Sequence, residues 1–253
     1  MKILVCVKRV AVLGDDVEFT EGDRDVDPDY LDFAPNEWDA FAVEEALRIR
    51  ETNGGEVVVA TVGDQESERE LRRYLAMGAD RAVRVRSEAL GQVDPIMVAR
   101  ALAEVAEAEQ PDLIFCGVQS SDSVQGATGA ALAGALDLPV VAVVTKLEYH
   151  GAAQMAVVHR ELEGGLIAVT ETETPAILTI QTGINEPRYV TLRAIQEAVD
   201  KEIEVRTREV SSEAAYRVRR MFAPVQERAQ MIAGNPSQIV KKILEIAHEA
   251  GVR

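Results

Sequence analysis

The stretch DLIFCGVQSSDSVQGATGAALAGALDLPVVAVVT, residues 112–145, indicates how the whole chain folds. It begins with a short apolar run at 112–116, passes through a polar loop that contains glycine, and enters an alanine-rich segment at about 127–137. A second apolar run follows at 140–145. Short apolar runs predict buried strands, and the longer apolar segment between them predicts a crossover helix. The stretch therefore predicts a strand–helix–strand unit of a parallel sheet.

The same alternation extends back to the amino terminus. Predicted strands lie at 2–7, 56–62 and 82–86, and predicted helices lie at about 37–50, 66–77 and 94–109. Asn36 is placed as the N-cap of the first helix and Gly54-Gly55 as its end. Residues 10–35 are acidic and aperiodic, which predicts an excursion from the sheet. The alternation predicts an α/β domain with a Rossmann-like, doubly wound, mostly parallel sheet and right-handed crossovers.

The pattern changes in the second half of the chain. Three predicted strands follow one another with only turns between them, at 154–159, 166–171 and 176–181. No helix fits between them, so an antiparallel part is expected. Residues 200–233 are rich in charge and poor in periodicity, whereas Pro236 begins an amphipathic helix that Gly251 ends. These features predict a nucleotide-binding domain at 1–199 and, at 200–253, an arm and helix that pack on a partner. A helix folded back on its own domain is the alternative.

Composition and charge exclude several classes of protein. Of the 253 residues, 47% are hydrophobic but only 4% are aromatic, so Val, Ile, Leu and Ala must build the core. The formal net charge of −16 disfavours nucleic-acid binding; it serves solubility or steers a basic partner. Cys6 and Cys116 lie in apolar runs and are expected to be buried, reduced thiols. No signal peptide and no apolar run of about 20 residues is found, which predicts a cytoplasmic protein without membrane insertion.

Common catalytic motifs do not occur in the sequence. It contains no GxGxxG after the first strand, no GxxxxGK[ST], no HExxH and no GxSxG, which disfavours dehydrogenases of the Rossmann type and P-loop enzymes. His150, His159 and His248 are scattered, and none has an evident catalytic partner. The chain is therefore poor in candidate catalytic residues, and we expect neither a catalytic residue nor a metal site in it.

The loop at 117–129 is the strongest candidate for a binding site. It follows the carboxyl end of a predicted parallel strand and opens a helix, which is where ligands bind in open α/β sheets. Its small residues allow backbone amides to approach an anion, and Ser123 and Thr128 add hydroxyl donors. The same residues could instead cap the helix and allow tight packing. The loops after Val7 and at Val62-Gly63-Asp64, together with Asn36, are expected at the same edge.

A second distinctive segment is GINEPRYVTLRAI, residues 183–195. Pro187 stiffens it, and Tyr189 and Leu192 are apolar residues flanked by polar ones. One interpretation is a surface helix with Thr191 as its N-cap. The other makes Leu192 a protruding anchor for a partner protein.

Several motifs, in the same order along the chain, resemble the electron transfer flavoprotein β-subunit family. They are VKR at 7–9, AVEEALR at 42–48, LAMGADRAVRV at 75–85, the loop from Gln119 to Gly129, RELEGG at 160–165, and NEPRY at 185–189 with Leu192 and Ile195. The matches cover nearly the whole chain. NEWDAF at 36–41 and VQSSD at 118–122 look like the methylotroph branch, whose partner is trimethylamine dehydrogenase.

The resemblance implies a subunit that binds AMP as a structural ligand, in a heterodimer whose larger α subunit holds FAD. The implied AMP site consists of Cys6, Asn36, Val62, Gly63, Asp122, Ser123, Gln125, Gly126, Ala127 and Thr128. The backbone at 123–128 would hold the phosphate. The implied recognition loop at 184–195 would bind a flavin dehydrogenase, either trimethylamine dehydrogenase-like or acyl-CoA dehydrogenase-like, through Tyr189, Leu192 and Ile195. Leu13 and Glu161 would lie near the flavin of the α subunit, and the C-terminal arm would embrace that subunit.

Other functions remain as alternatives. Some relatives bind a second FAD in place of AMP and bifurcate electrons, but they carry a DGDT-like run where this chain has Asp122-Ser123-Val124-Gln125. An ATP-hydrolysing or nucleotidyl-transferring enzyme would need a lysine or metal-binding carboxylates at the phosphate loop. A nucleotide-sensing module of the universal-stress type would be a homodimer and would lack the NEPRY segment and the long arm.

Overall fold

The computed structural model describes residues 1–14, 17–87, 94–207, 218–223 and 231–251. The strands are β1 (Lys2–Cys6), β2 (Arg9–Leu13), β3 (Leu31–Pro35), β4 (Glu56–Gly63), β5 (Arg81–Arg86), β6 (Leu113–Gly117), β7 (Val140–His150), β8 (Met155–Leu162), β9 (Leu166–Glu173), β10 (Ala176–Ile180) and β11 (Ile203–Thr207). The helices are α1 (Glu37–Asn53), α2 (Glu68–Met77), α3 (Pro95–Glu109), α4 (Thr128–Leu136), α5 (Leu192–Val199) and α6 (Pro236–Glu249).

A nine-stranded sheet in the order β11-β5-β4-β1-β6-β10-β7-β8-β9 carries the fold. Its strands are parallel from β11 to β7. Alternate residues of β1 feed two apolar clusters: Ile3 packs with side chains of α1 and α2, and Leu4 packs with side chains of α3 and α4. Helices therefore cover both faces, and the predicted doubly wound α/β fold is confirmed.

The last strand of the predicted antiparallel part is a correction. β8 pairs antiparallel with both β7 and β9, as expected. Residues 176–181 do not continue this pattern, because β10 lies between β6 and β7 and is parallel to both. The physical reason is its composition: the whole of AILTI is buried, which suits a strand covered on both faces. Turn spacing predicted the β8–β9 hairpin but could not show where the chain re-enters the sheet.

The excursion at 10–35 contains regular structure that the sequence did not predict. β2 and β3 form an antiparallel pair in which Arg9 is opposite Pro35 and Leu13 is opposite Leu31. The Arg9 guanidinium stacks 3.7 Å above the centre of the Phe33 ring, across this pair. The pair begins directly after β1 and returns directly to α1, so it extends from the carboxyl edge of the sheet.

The chain forms two compact units, Met1–Met221 and Phe222–Arg253, and the C-terminal region is divided between them. β11 pairs with β5, so the sheet includes residues beyond the domain boundary expected at 199. In the second unit, α6 begins at Pro236 and is capped reciprocally by Asn235 and Gln238. One side of α6 exposes Val240, Ile243, Leu244 and Ile246. Across the described residues, none of the helices has the length and apolar character to span a membrane.

An ionic network at the amino edge of the sheet links four elements. The Glu109 carboxylate accepts hydrogen bonds from Arg81 Nη1 at 2.9 Å, Lys2 Nζ at 3.0 Å and Arg206 Nη2 at 2.9 Å. The hydrogen bond from Arg81, followed by that from Lys2, lowers the pKa of Glu109 to about 2 against the effect of burial. The network thereby joins α3 to β1, β5 and the edge strand β11.

We expect Glu109→Gln to reduce the free energy of unfolding by about 2 kcal/mol at pH 7, because three cations lose their shared partner. A carboxylate whose folded pKa is depressed stabilises the fold above its unfolded pKa and loses this effect as the pH falls towards the folded value of about 2. The difference between wild type and variant should therefore shrink between pH 4.5 and 2, as urea unfolding would measure. Glu107→Gln, on the exposed face of α3, is the matched control. A pH-independent difference contradicts the assignment.

Candidate functional site

Three neighbouring strands end at the same edge of the sheet and supply the loops of the candidate site. β1 ends at Cys6, β4 at Gly63 and β6 at Gly117, and these strands are adjacent in the order β4-β1-β6. The helices α1 and α4 begin at this edge, after Asn36 and Ala127. The edge is the carboxyl edge of parallel strands, where open α/β sheets bind ligands.

The Asp39 carboxylate joins the loops at this edge. Its Oδ2 accepts a hydrogen bond from the Lys8 amide at 2.7 Å, and its Oδ1 accepts from the Gly117 amide at 3.2 Å and from Asn36 Nδ2 at 3.0 Å. Burial raises the pKa of Asp39 to about 7, although the hydrogen bonds from Asn36, Lys8 and Gly117 favour the ionised form. One residue of α1 thus positions the chain after β1 and the chain at the end of β6.

Asn36 flanks α1 as predicted, but its side chain makes no capping hydrogen bond. Instead, Nδ2 also donates to the carbonyl of Gln119 at 2.9 Å, and Oδ1 accepts from the Ser121 amide at 3.4 Å. The residue is only 2% exposed. Asn36 therefore holds the loop after β6 against the start of α1.

Gly117 is required by the close approach of α1. A Cβ atom at this position would lie 2.7 Å from Cβ of Trp38 and would also collide with the Asp39 carboxylate. The absence of a side chain lets β6 end beside the first turn of α1.

Three donors point at one carboxylate oxygen of the loop between β6 and α4. Asp122 Oδ1 accepts hydrogen bonds from Lys8 Nζ, the Ser120 hydroxyl and the Ser123 amide, each at 2.7 Å. The two serine hydroxyls are themselves 2.9 Å apart. Burial raises the pKa of Asp122, but the hydrogen bonds from Lys8 and Ser120 outweigh it and the net shift is downward. Asp122 is therefore ionised at neutral pH and paired with Lys8.

The end of this loop presents the start of α4. Val124 and Gly126 adopt left-handed backbone angles, with φ of +52° and +58°. α4 then begins at Thr128, and its N-cap residue, Ala127, provides no side-chain hydrogen bond to the first turn. Amide groups at such a helix start attract an anion.

The remaining predicted ligand residues lie on the neighbouring strands. Cys6 is buried and opposite Cys116 in the parallel pairing of β1 with β6. A hydrogen bond with Cys116, and then burial, raise the pKa of the Cys6 thiol. Val62 and Gly63 are the last two residues of β4. The predicted nucleotide-site residues thus lie at the ends of β1 and β4, at the start of α1, or in the loop from β6 to the start of α4.

Three residues that build the edge do not stand out in the sequence: Lys8, Asp39 and Ser120. Lys8 is part of the VKR motif and the first residue of the loop expected after Val7, and this position at a strand end is a usable signal. Asp39 lies in an amphipathic helix, where a carboxylate normally indicates the solvent side. Its role depends on contacts with residues far away in sequence.

The segment at 183–195 is anchored to α1. Asn185 Nδ2 donates to the Phe41 carbonyl at 3.0 Å and to Glu45 Oε2 at 2.9 Å. Arg188 donates from Nε and Nη2 to the two oxygens of Glu44 at 2.8 and 3.0 Å. Burial raises the pKa of Glu44, but the hydrogen bonds from Arg188 outweigh it and the net shift is downward.

The same segment projects apolar side chains into solvent. Tyr189 is 87% exposed and Leu192 is 76% exposed, and Ile195 is exposed one turn further along α5. The Thr191 hydroxyl caps α5 by accepting from the Ala194 amide at 3.2 Å, as predicted. The two interpretations of this segment are therefore compatible, since a capped surface helix displays Leu192 at its first position.

Leu13 and Glu161 lie on separate hairpins. Leu13 ends β2 and Glu161 is near the end of β8, and both side chains are exposed.

The amino-acid sequence is similar to those of several known proteins. The electron transfer flavoprotein domain matches residues 26–211. The chain is 45% identical to the electron transfer flavoprotein subunit beta of Methylophilus methylotrophus, over 98% of both chains. It is 37% identical to the same subunit of Bradyrhizobium diazoefficiens over the full length of both chains, and 31% identical to that of Bacillus subtilis over 97% of both.

The two glycines of α4 differ in how closely their backbone approaches the sheet. A Cβ atom at Gly129 would lie 2.5 Å from Thr179 Cγ2, whereas one at Gly134 would meet nothing within 4 Å. We expect Gly129→Ala to lower the free energy of unfolding by about 1–2 kcal/mol, since overpacking outweighs the gain in helix propensity. Gly134→Ala, the matched control, should raise it by about 0.5–1 kcal/mol. Chemical denaturation measures both; equal effects would contradict the proposed packing.

Proposed function

Since the chain belongs to the electron transfer flavoprotein family as a β subunit, we propose that it binds AMP structurally and pairs with an α subunit that holds FAD. In this proposal the FAD accepts electrons from a flavin dehydrogenase and passes them to a downstream acceptor. The β subunit supplies no catalytic residue of its own and acts in the cytoplasm. The β subunit supports the structure of the complex and binds the dehydrogenase.

The start of α4 carries the AMP proposal. Its first turn has no side-chain cap from Ala127, and it follows a loop that bends through Val124 and Gly126. These are the features of a phosphate site built from backbone amides. The residues proposed to surround the nucleotide are Cys6, Asn36, Val62, Gly63, Asp122, Ser123, Gln125, Gly126, Ala127 and Thr128.

The nearby lysine does not favour an ATP-hydrolysing enzyme. Lys8 reaches this loop from the chain segment after β1. Its ammonium group is 2.7 Å from Asp122 Oδ1 and forms an ion pair with it. Because the cation is already paired, we favour a structural AMP over a nucleotide that is hydrolysed.

The dehydrogenase is proposed to dock on Tyr189, Leu192 and Ile195. Asn185 and Arg188 fix the segment to α1, so these apolar side chains are presented on a rigid support. A rigid, exposed apolar anchor loses little entropy on binding, which suits a hot spot. One anchored loop also leaves the rest of the complex free to adjust, as a transient electron-transfer partner requires.

The α subunit is proposed to pack on the C-terminal arm, residues 200–253, and on the hairpins that carry Leu13 and Glu161. The apolar side of α6 is the main support for this contact, because Val240, Ile243 and Leu244 are exposed there. In this arrangement Leu13 and Glu161 lie near the flavin of the α subunit.

Co-expression with an electron transfer flavoprotein α subunit should give a yellow heterodimer that releases one FAD and one AMP per complex on denaturation. Absorbance and chromatography of the released nucleotides measure this. The α subunit expressed alone is the control, and it should contain FAD without AMP. Two FAD molecules and no AMP would instead identify a bifurcating relative. A flavin-free homodimer that carries nucleotide would identify a sensing module of the universal-stress type.

Leu192→Ala should weaken docking of the dehydrogenase about tenfold, since truncation removes the apolar anchor from the interface. The rate of flavin reduction at increasing dehydrogenase concentration measures this change, and the FAD and AMP contents should stay unchanged. Ile96→Ala truncates another exposed apolar side chain, at the start of α3, and is the matched control. Reduction kinetics equal to wild type would remove Leu192 from the docking site.

A further inference from the structure

The carboxylate of Asp122 occupies donors that an incoming phosphate would otherwise use. Lys8 Nζ, the Ser120 hydroxyl and the Ser123 amide all point at its Oδ1. Backbone amides and hydroxyls of a loop before a helix, with one lysine, are a typical donor set for phosphate. In this chain the protein itself supplies the anion for them.

The other charges at this edge do not compensate for that carboxylate. Asp39 accepts the Lys8 amide, so a second carboxyl group lies behind the lysine. Arg9 Nη1 lies 3.8 Å from Asp64 Oδ2, and Arg9 Nε lies 3.9 Å from Glu70 Oε2. The Arg9 guanidinium is also stacked on the Phe33 ring. Arg84, which donates to the Gly63 carbonyl, is paired with Glu68 at 3.0 Å. Carboxylates thus already pair these cations of the edge: Lys8, Arg9 and Arg84.

A single phosphate and a chain of phosphates would experience this edge differently. One phosphate can be held by the amides at the start of α4 without a lysine. A second phosphate adds negative charge and needs a cation of its own, but the nearest ammonium group is neutralised by Asp122. The fixed carboxylate then repels the additional charge.

We propose that Asp122 restricts this site to nucleotides with a single phosphate by holding Lys8 and by repelling further phosphates. This inference rests on the proposed function, since it assumes that a nucleotide binds at this edge. Asp122 is a specificity-determining residue in this scheme: it selects against ADP rather than for the adenosine moiety. Lys8 acts through Asp122, because it lowers the repulsion that the carboxylate exerts.

The test compares the dissociation constants of adenosine, AMP and ADP for the full-length chain freed of bound nucleotide, by isothermal titration calorimetry. Asp122→Asn keeps the size of the side chain and removes its charge. We expect the preference of the wild type for AMP over ADP to fall about tenfold in this variant. The adenosine constant shows whether the substitution also changes the rest of the site, and the ratio of the AMP and ADP constants reports the effect of charge. Asp137→Asn makes the same substitution at the far end of α4, where the left-handed backbone tolerates Asn, and should leave all three constants unchanged.

Lys8→Gln tests the same idea in the opposite direction. It leaves the Asp122 carboxylate without its cation, so discrimination against ADP should sharpen while adenosine affinity stays the same. Circular dichroism and thermal unfolding verify that each variant is folded.

The outcomes separate this inference from the function on which it rests. A wild-type chain that binds neither AMP nor ADP overturns the proposed nucleotide site itself. A chain that binds AMP, but whose preference over ADP is absent or is the same in wild type and in Asp122→Asn, overturns the role of Asp122 and leaves AMP binding intact.

Discussion

The buried carboxylate of Asp39 is the interaction on which the candidate site depends. It accepts the amides of Lys8 and Gly117, which belong to chain segments after β1 and at the end of β6, and the side chain of Asn36. A buried carboxylate is stable only when its oxygens are hydrogen-bonded, so these three segments are held together or the group is left unsatisfied. Gly117 completes the constraint, because only glycine allows α1 to approach so closely. The loop that carries Asp122 is attached to this fixed point.

The segment after β10 is fixed to the domain by some of its side chains and exposes others to solvent. Asn185 and Arg188 face α1 and satisfy buried carboxylates, whereas Tyr189 and Leu192 of the same short segment face solvent. Polar residues here provide the rigidity, and apolar residues provide the exposed surface, which reverses the usual distribution in a folded domain. That reversal is a physical reason to regard the segment as a binding surface, because exposed apolar groups on a rigid support gain most from being covered by a partner.

The two edges of the sheet hold their carboxylates with different sets of donors. At the amino edge, Glu109 accepts from the side chains of Arg81, Lys2 and Arg206, and Glu56 and Glu204 pair with the same cations. At the carboxyl edge, Asp39 and Asp122 also accept hydrogen bonds from backbone amides, those of Lys8, Gly117 and Ser123. The proposed ligand site and this network of ion pairs therefore lie at opposite edges of one sheet.

The alternation of β1 and β4 to β7 with α1 to α4, the doubly wound class and the candidate loops follow from the amino-acid sequence alone, because they arise from short-range apolar periodicity and from turn residues. Thr191 could also be predicted as a helix cap, since capping is a contact between neighbours in the chain. The features that required the three-dimensional fold are the place of β10 between β6 and β7, the β2–β3 pair, and the contact of Lys8 with Asp122. These pairings join residues far apart in sequence, and nothing in the local pattern of either partner encodes the other. Long-range contacts are selected by the packing of the whole chain.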